Sequence, residues 1–418
     1  MTDPGTASRV RGPVSQGERA LAPDLARGFM LLLIALANTV WYLWAADPGM
    51  TTAHPDGGTV LDRAVQGVMI TVVDGRTYPM FAFLFGYGMV QLWNRQRAAG
   101  ADEKSVRALL RRRNLWLLAF GFVHASLLWM GDILGAYGFM GLLMGWLFLR
   151  RANRTLLVWS GVVVGLLALS TLFSVVGAYF AARAPVTEVP EAFDFMGLST
   201  GLTGEADYLT SMLTRTAFWV VLVFAQGLLT LAIPAAMLLA FWAARHRILE
   251  EPGRHLPLLR TTAAAGIAVG WLGGLPHALH HLGAFPFPES ASWVFSSVSS
   301  STGLAAGIGY VALFGLIAHR LGERARGSLP VVAITAVGKR SLSCYLAQSV
   351  VCAPVLAAWG LGLGAHLGSA TMALFALGVW LATVAAAYLQ ERAGRRGPAE
   401  TLLRGLAYRN PTRSPARR

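Results

Sequence analysis

The sequence predicts an all-α, polytopic integral membrane helical bundle of about ten transmembrane helices, with both termini cytoplasmic. Three observations predict it. Apolar residues make up 55% of the 418 positions and charged residues 13%, against roughly 25% charged in soluble domains. Apolar runs of about 18 residues or more recur along the chain, each long enough to cross a hydrocarbon layer of ~30 Å. The 35 Lys and Arg sit almost entirely in alternate gaps between those runs, as cytoplasmic loops collect Lys and Arg and exported loops do not. Backbone groups in lipid must be satisfied within the segment, so the runs are helices. The period-two alternation of a membrane β-barrel is absent.

The elements follow in order. Residues 1–21 mix Pro, Gly, Ser and Arg and read as a mobile cytoplasmic tail. A transmembrane domain then occupies 22–390. Span 1, at 25–46, is too long for a signal-peptide core and reads as retained. Asp47, Asp56, Asp62 and Asp74 mark 47–75 as exported, partly as an interfacial helix. Span 2 covers 76–94, and Arg95, Arg97, Lys104, Arg107 and Arg111 to Arg113 return the chain to the cytoplasm. Spans 3 and 4, at 114–130 and 133–150, form a hairpin joined at Gly131 and Asp132. Span 5 (155–181) leads to an exported segment with Glu188, Glu191, Asp194, Glu205 and Asp207. Span 6 covers 216–243 and span 7 covers 257–275, followed by an exported loop reading PHALHHLGAFPFPES. Spans 8, 9 and 10 cover 292–318, 334–359 and 368–389, and a basic cytoplasmic tail fills 391–418.

The formal charge of +14 is spread over separate loops rather than gathered on one soluble face, which argues against nucleic acid and for contact with anionic lipid headgroups. Cys344 and Cys352 share one apolar run and read as small buried hydrophobes. No internal repeat of the kind common in secondary transporters stands out.

Ionisable groups inside spans are costly, so each asks for a reason. Asp24 and Arg27 share a helix face at the cytoplasmic mouth of span 1; they are either a local pair or an anchor for an anionic ligand, with Gly28 permitting close approach. Asn38 suits a helix–helix hydrogen bond. Asp74 and Arg76 stand at the exported end of span 2, and Gly86 and Gly88 read as packing points. His124 is embedded in span 3, eight residues before Asp132. On one continuous helix that separation is ~12 Å, too far for a hydrogen bond; the two are expected instead to face one exported-side cavity. His124 is either a satisfied interhelical donor or a general base. His277, His280 and His281 lack the partners of a zinc motif, and no metal site is expected. Tyr345 and Gln348 lie in span 9 and either bond a neighbouring helix or line a cavity.

These segments resemble a known set. DLARGFMLLLIALANTVWYLW, YPMFAFLFGYGMVQLWNR, RRRNLWLLAFGFVHASLLWMGDILGAYGFMGLL and AVGKRSLSCYLAQSVVCAPVLAAWGLGL, followed by RRGPAETLLRGLAY, resemble the blocks of the bacterial YeiB-like membrane proteins, domain-of-unknown-function family 418. The resemblance covers about residues 20–410 and is weakest near 183–260. It departs at Gly338-Lys339-Arg340 and at Gly397-Pro398-Ala399-Glu400-Thr401. The Asp24-x-x-Arg27-Gly28 opening is also similar to that of membrane acyltransferases of the acyltransferase-3 and heparan-glucosaminide N-acetyltransferase-like groups.

By that similarity the protein is expected to sit in the cell membrane and to move an acyl group from a cytoplasmic thioester, with acyl-CoA as donor substrate and no bound cofactor. The acceptor would be a small or lipid-linked molecule at or beyond the outer face. Arg27, with Arg76 or Lys339, would contact the anionic donor. His124 would act as base, and Asp132 would orient a group or hold substrate. The competing expectation is a transporter or exporter whose polar residues, Asp24, Asn38, Asp74, Tyr345 and Gln348 among them, line a pathway. A membrane scaffold is the third.

Overall fold

Aspartates set several of the helix starts. Asp102, Asp132 and Asp207 each accept a backbone N–H three residues on, from Ser105, Gly135 and Thr210 at 2.9, 2.7 and 2.7 Å, which satisfies donors that a helix N-terminus leaves open. Thr59 and Asp62 close a reciprocal capping box. The computed structural model describes residues 20–184, 195–226, 230–321 and 325–408. The acidic positions Glu188, Glu191 and Asp194, residues 1–19 of the N-terminal tail and residues 409–418 of the C-terminal tail lie outside the described residues.

The described residues are helical, with no strand beyond an isolated bridge between Pro48 and Pro55. Helix α1 is Leu21–Thr39, α2 Val60–Val68, α3 Thr77–Ala98, α4 Glu103–Leu127 and α5 Ile133–Leu147. Helix α6 is Asn153–Ala181, α7 Phe195–Gly204, α8 Tyr208–Phe224, α9 Ala232–Arg245 and α10 Leu256–His281. Helix α11 is Trp293–Arg320, α12 Leu329–Lys339, α13 Ser341–Leu356, α14 Ser369–Arg392 and α15 Pro398–Tyr408.

Among the described residues, six stretches are long and apolar enough to cross a membrane: Leu21–Tyr42, Val60–Ala98, Asn153–Ala181, Pro252–His281, Glu289–Arg320 and Ser369–Arg392. Helix α6 shows the consequence most plainly. Leu172, Phe173 and Phe180 are 56%, 67% and 65% exposed on it, an apolar surface that suits hydrocarbon rather than water.

Several boundaries differ from the sequence expectation, each for a local reason. Span 6 is two helices, α8 and α9, rather than one. Span 9 is also two, because the chain turns at Arg340, where α12 ends and α13 begins. The expected exported loop at 276–290 begins as helix: α10 runs on through Pro276 to His281 and carries His277, His280 and His281 in its last turns. The basic tail contains α15, which packs against α4 and α13.

Small residues let the helices meet closely. Gly28 of α1 leaves room for the Ile334 carbonyl of α12, and Gly338 of α12 for the Asp24 carbonyl of α1. The order of these contacts makes the two helices antiparallel. Helices α10 and α11 meet through Gly270 against Ala306, Gly273 against Thr302 and Gly309 against the backbone of Gly266 and Ile267.

Candidate functional site

Helices α1, α3, α4, α5, α9, α12, α13 and α15 enclose a cavity of about 550 Å3 at the end of the bundle where the basic residues gather. Its wall carries six cations, Arg27, Arg95, Arg113, Arg247, Lys339 and Arg404, against three carboxylates, Asp24, Glu250 and Glu400. Each acid is engaged. Asp24 pairs with Arg27 at 3.3 Å. Glu250 accepts from the Tyr87 hydroxyl and, at 2.6 Å, from Gln91 Nε2. Glu400 accepts from Leu342 and Ser343 backbone N–H groups at 2.8 and 3.1 Å, fastening α15 onto the first turn of α13. The excess of positive charge favours an anion. Deeper in, the wall is apolar, with Met30, Phe81, Leu84, Phe85, Leu117 and Leu134, and Tyr345 lines it too.

Behind Tyr345 stands a second polar group. His124 Nδ1 and Asp132 Oδ1 lie 2.8 Å apart, with side chains 1% and 0% exposed. The direct bond corrects the expected ~12 Å separation. Helix α4 ends at Leu127, where His124 O accepts from both Leu128 and Trp129 N–H groups, and the turn brings Asp132 back as the N-cap of α5. Gly121 makes the return possible, since a Cβ there would strike the Asp132 carboxylate and the Gly135 backbone. Asp132 also accepts from Trp219 Nε1 at 3.1 Å. An ionised carboxylate only accepts, so beside one His124 donates through Nδ1, and a neutral imidazole in that tautomer carries its lone pair on Nε2. That Nε2 is buried and has no partner among the described residues. The Tyr345 ring lies 5.1 Å from the imidazole, centroid to centroid. His124 is therefore one ring removed from the cavity wall.

Residues 243–410 match the family model described as a protein of unknown function, DUF418. The chain is 26% identical to the uncharacterized protein YxaH of Bacillus subtilis strain 168, over 95% of this chain and 96% of that one. It is likewise 26% identical to the uncharacterized protein YeiB of Escherichia coli K12, over 94% and 97% of the two chains. The segment 243–410 is thus similar to the DUF418 family, and the two full-length relatives extend the likeness over most of the chain. A shorter match, 34% identical over 132 residues, joins it to an uncharacterized 39.9 kDa protein in the amylase 3′ region of Bacillus acidopullulyticus, covering 32% of this chain and 35% of that one. The DUF418 match contains Lys339, Tyr345, Glu400 and Arg404 of the cavity; Arg27, Arg113, His124 and Asp132 precede it.

The structure brings some of the sequence-predicted residues together and separates others. Asp24, Arg27, Lys339 and Tyr345 share the cavity. Arg27 also donates to Leu84 O at 3.2 Å, with Gly88 facing its guanidinium. Gly28 serves packing against α12 rather than ligand approach. Lys339 pairs with Glu391 at 2.7 Å, as does Arg340. Gln348 is buried and donates to Leu31 O at 3.3 Å, tying α13 to α1.

Asn38 is half-buried, eleven residues beyond Arg27 and so roughly 16 Å along α1. Asp74 and Arg76 lie at the opposite end of α3 from Arg95, outside the cavity. The fully buried Arg76 donates to the carbonyls of Asp74 and Gly270 and to Ser299 Oγ, so it joins α3 to α10 and α11. Asp74 bonds His54 at 3.0 Å, while His277 bonds Thr51 at 3.0 Å. No group of three or more His, Cys, Asp or Glu that could hold a metal occurs among the described residues.

Sequence reasoning missed Trp219, Arg113 and Glu400. Arg113 lies within a run of three arginines, and only the pitch of α4 turns it toward Phe85, whose ring centroid is 5.4 Å from its guanidinium carbon. Glu400 had a signal, its place in the GPAET segment of the C-terminal block.

Proposed function

We propose that this protein is a transmembrane acyltransferase of the cell membrane, with both termini cytoplasmic and about ten crossings. It would move an acyl group from a cytoplasmic thioester, such as acyl-CoA, to a small or lipid-linked acceptor at or beyond the outer face. The observation that carries the reading is the His124–Asp132 pair, with an unpartnered imidazole nitrogen one ring behind the cationic cavity. The basic end of that cavity faces the cytoplasm under the positive-inside rule.

In this reading Arg27, Arg113 and Lys339 hold the anionic part of the donor, guanidinium being suited to phosphate. The apolar wall formed by Met30, Phe81, Phe85 and Leu117 takes the acyl chain. His124 Nε2 removes the proton of the acceptor hydroxyl or amine as its oxygen or nitrogen attacks the thioester carbonyl. The C–S bond breaks, and the departing thiolate takes a proton back from the imidazolium, which balances the step. Asp132 stabilises the imidazolium and fixes the tautomer. Tyr345 must turn aside for the acceptor to reach His124.

A second reading, a transporter or exporter of a small or lipid-linked metabolite, is favoured by one observation. Tyr345 closes the cavity toward His124, as a residue blocking a passage would. Mass spectrometry of lipids, glycans and secreted metabolites from cells with and without the protein, fed a labelled acyl donor, separates the two. A product heavier by one acyl unit, lost in the deletion and in His124→Ala, supports transfer. An unmodified metabolite retained in the deletion strain, with no acylated product anywhere, overturns it in favour of transport.

A further inference from the structure

A cluster of buried hydrogen-bond donors lies beyond the far end of α4, away from the cavity. Ser126 follows Arg113 by thirteen residues, about 20 Å along the helix. Arg215 of α8 is 2% exposed, and its two terminal nitrogens donate one bond each, to Ser211 Oγ and to Ser126 O. Tyr208 and Trp359 cover it, their ring centroids 5.5 and 5.6 Å from its guanidinium carbon. No carboxylate among the described residues pairs with it. Trp129, three residues beyond Ser126, stacks on Tyr42 with ring centroids 4.8 Å apart, and Tyr42 lies within electrostatic reach of Arg215.

Four polar atoms of this group are buried with no hydrogen-bond partner among the described residues: Arg215 Nε, Tyr42 Oη, Trp129 Nε1 and Ser126 Oγ. All four donate, and leaving a buried donor unmet costs about 1–3 kcal/mol each. A buried cation without a counter-charge is costlier still. The cluster therefore lacks acceptors and lacks one negative charge. A carboxylate supplies both, with two oxygens, about four lone-pair sites and a single charge. A dianion would reverse the charge imbalance rather than cancel it.

We propose that Arg215, Tyr42, Trp129 and Ser126 form a binding site for a small carboxylate. The inference does not rest on the acyl-transfer reading, since it needs only binding.

The test uses the full chain in detergent, titrated with sodium acetate, with sodium chloride and sodium sulfate at matched ionic strength as controls. Thermal unfolding and intrinsic tryptophan fluorescence are the readouts. Acetate is expected to raise the unfolding temperature along a saturable curve that chloride and sulfate do not reproduce. Tyr42→Phe, which removes one donor at little change in shape, and Trp129→Phe, which removes one donor with part of the ring, are expected to raise the half-saturating acetate concentration about five- to tenfold, and Arg215→Gln to abolish the response. If Arg215→Gln does not fold, the two conservative variants decide. An equal response to chloride or sulfate, no saturation by acetate, or unchanged half-saturation in both conservative variants overturns the proposal.

Discussion

Eight positions separate His124 from Asp132 in the chain, yet their side chains meet at 2.8 Å in a fully buried contact. The turn after Leu127 closes the gap, and two further donors, Gly135 N and Trp219 Nε1, hold the carboxylate in place. In the proposed acyl transfer, removing the imidazole removes the general base. His124→Ala and Asp132→Asn are each expected to lower transfer of a labelled acyl group by about 10²–10⁴-fold, the usual span for a general base. Asp132→Ala is expected to be less stable than Asp132→Asn, because breaking a buried pair outright costs about 3–5 kcal/mol. Unfolding in detergent ranks the two.

Trp219 reaches Asp132 from α8, and its ring fills the space that Gly135 leaves open. Trp219→Phe keeps most of the packing and deletes one hydrogen bond to a charged group, worth about 1.5–3 kcal/mol. The variant is expected to lose that much stability at most, and to lose activity by less than His124→Ala does. Parallel unfolding and turnover measurements check both parts.

Two glycines stand where a side chain cannot fit. A Cβ at Gly338 would collide with the Asp24 carbonyl, and one at Gly121 with the Asp132 carboxylate. Gly338→Ala and Gly121→Ala are each expected to destabilise by about 1–3 kcal/mol through overpacking. Gly100, where an added Cβ would meet nothing within 4 Å but φ is +84°, makes the contrast: Gly100→Ala is expected to act through backbone strain alone and to leave the α1–α12 contact intact. Cross-linking of cysteines introduced into α1 and α12 reads that contact.

Asp207 gives a pH dependence with a definite sign. Bonds from Thr210 hold its carboxyl below the ordinary value of 3.8, so the folded state binds its proton less readily than the unfolded chain. The cap is fully effective above that value and weakens as pH falls through the lower folded one. Amide exchange at the first turn of α8 is expected to accelerate on acidification below about pH 3.8 by this route, and Asp207→Ala to flatten the response.

Helix type and approximate position were legible in the sequence wherever long apolar runs stood between charged gaps, as in α1, α6, α11 and α14. The short elements were not. A break at Arg340 between two apolar stretches carries no Pro or Gly signal strong enough to divide them, since Gly338 also serves helix packing. The α8–α9 division likewise falls inside a continuous apolar run. Arg27 and Tyr345 stood out because charge and polarity inside apolar spans are costly, yet the sequence left each open between a local or interhelical bond and a ligand or cavity role. Lys339 entered only through the resemblance. The structure places all three at the cavity wall. Arg76 has the same cost and a different answer, as carbonyls of two helices satisfy it. Which answer applies depends on tertiary neighbours, and a single chain of letters does not state them. The same holds for Trp219, an apolar-looking residue whose indole N–H matters only because Asp132 arrives beside it.

The eleven residues of α12 rise roughly 16 Å, about half of a hydrocarbon layer of ~30 Å. Such a segment has no stable place in lipid by itself. Its seat is the glycine-faced side of α1, synthesised some three hundred residues earlier. During biogenesis that face of the first helix must therefore wait, shielded by something else, until the ribosome has passed Lys339. Docking of α12 is then a late event that joins the beginning of the chain to a segment near its end, and the cationic chamber, which also draws residues from α13 and α15, cannot be complete before it happens.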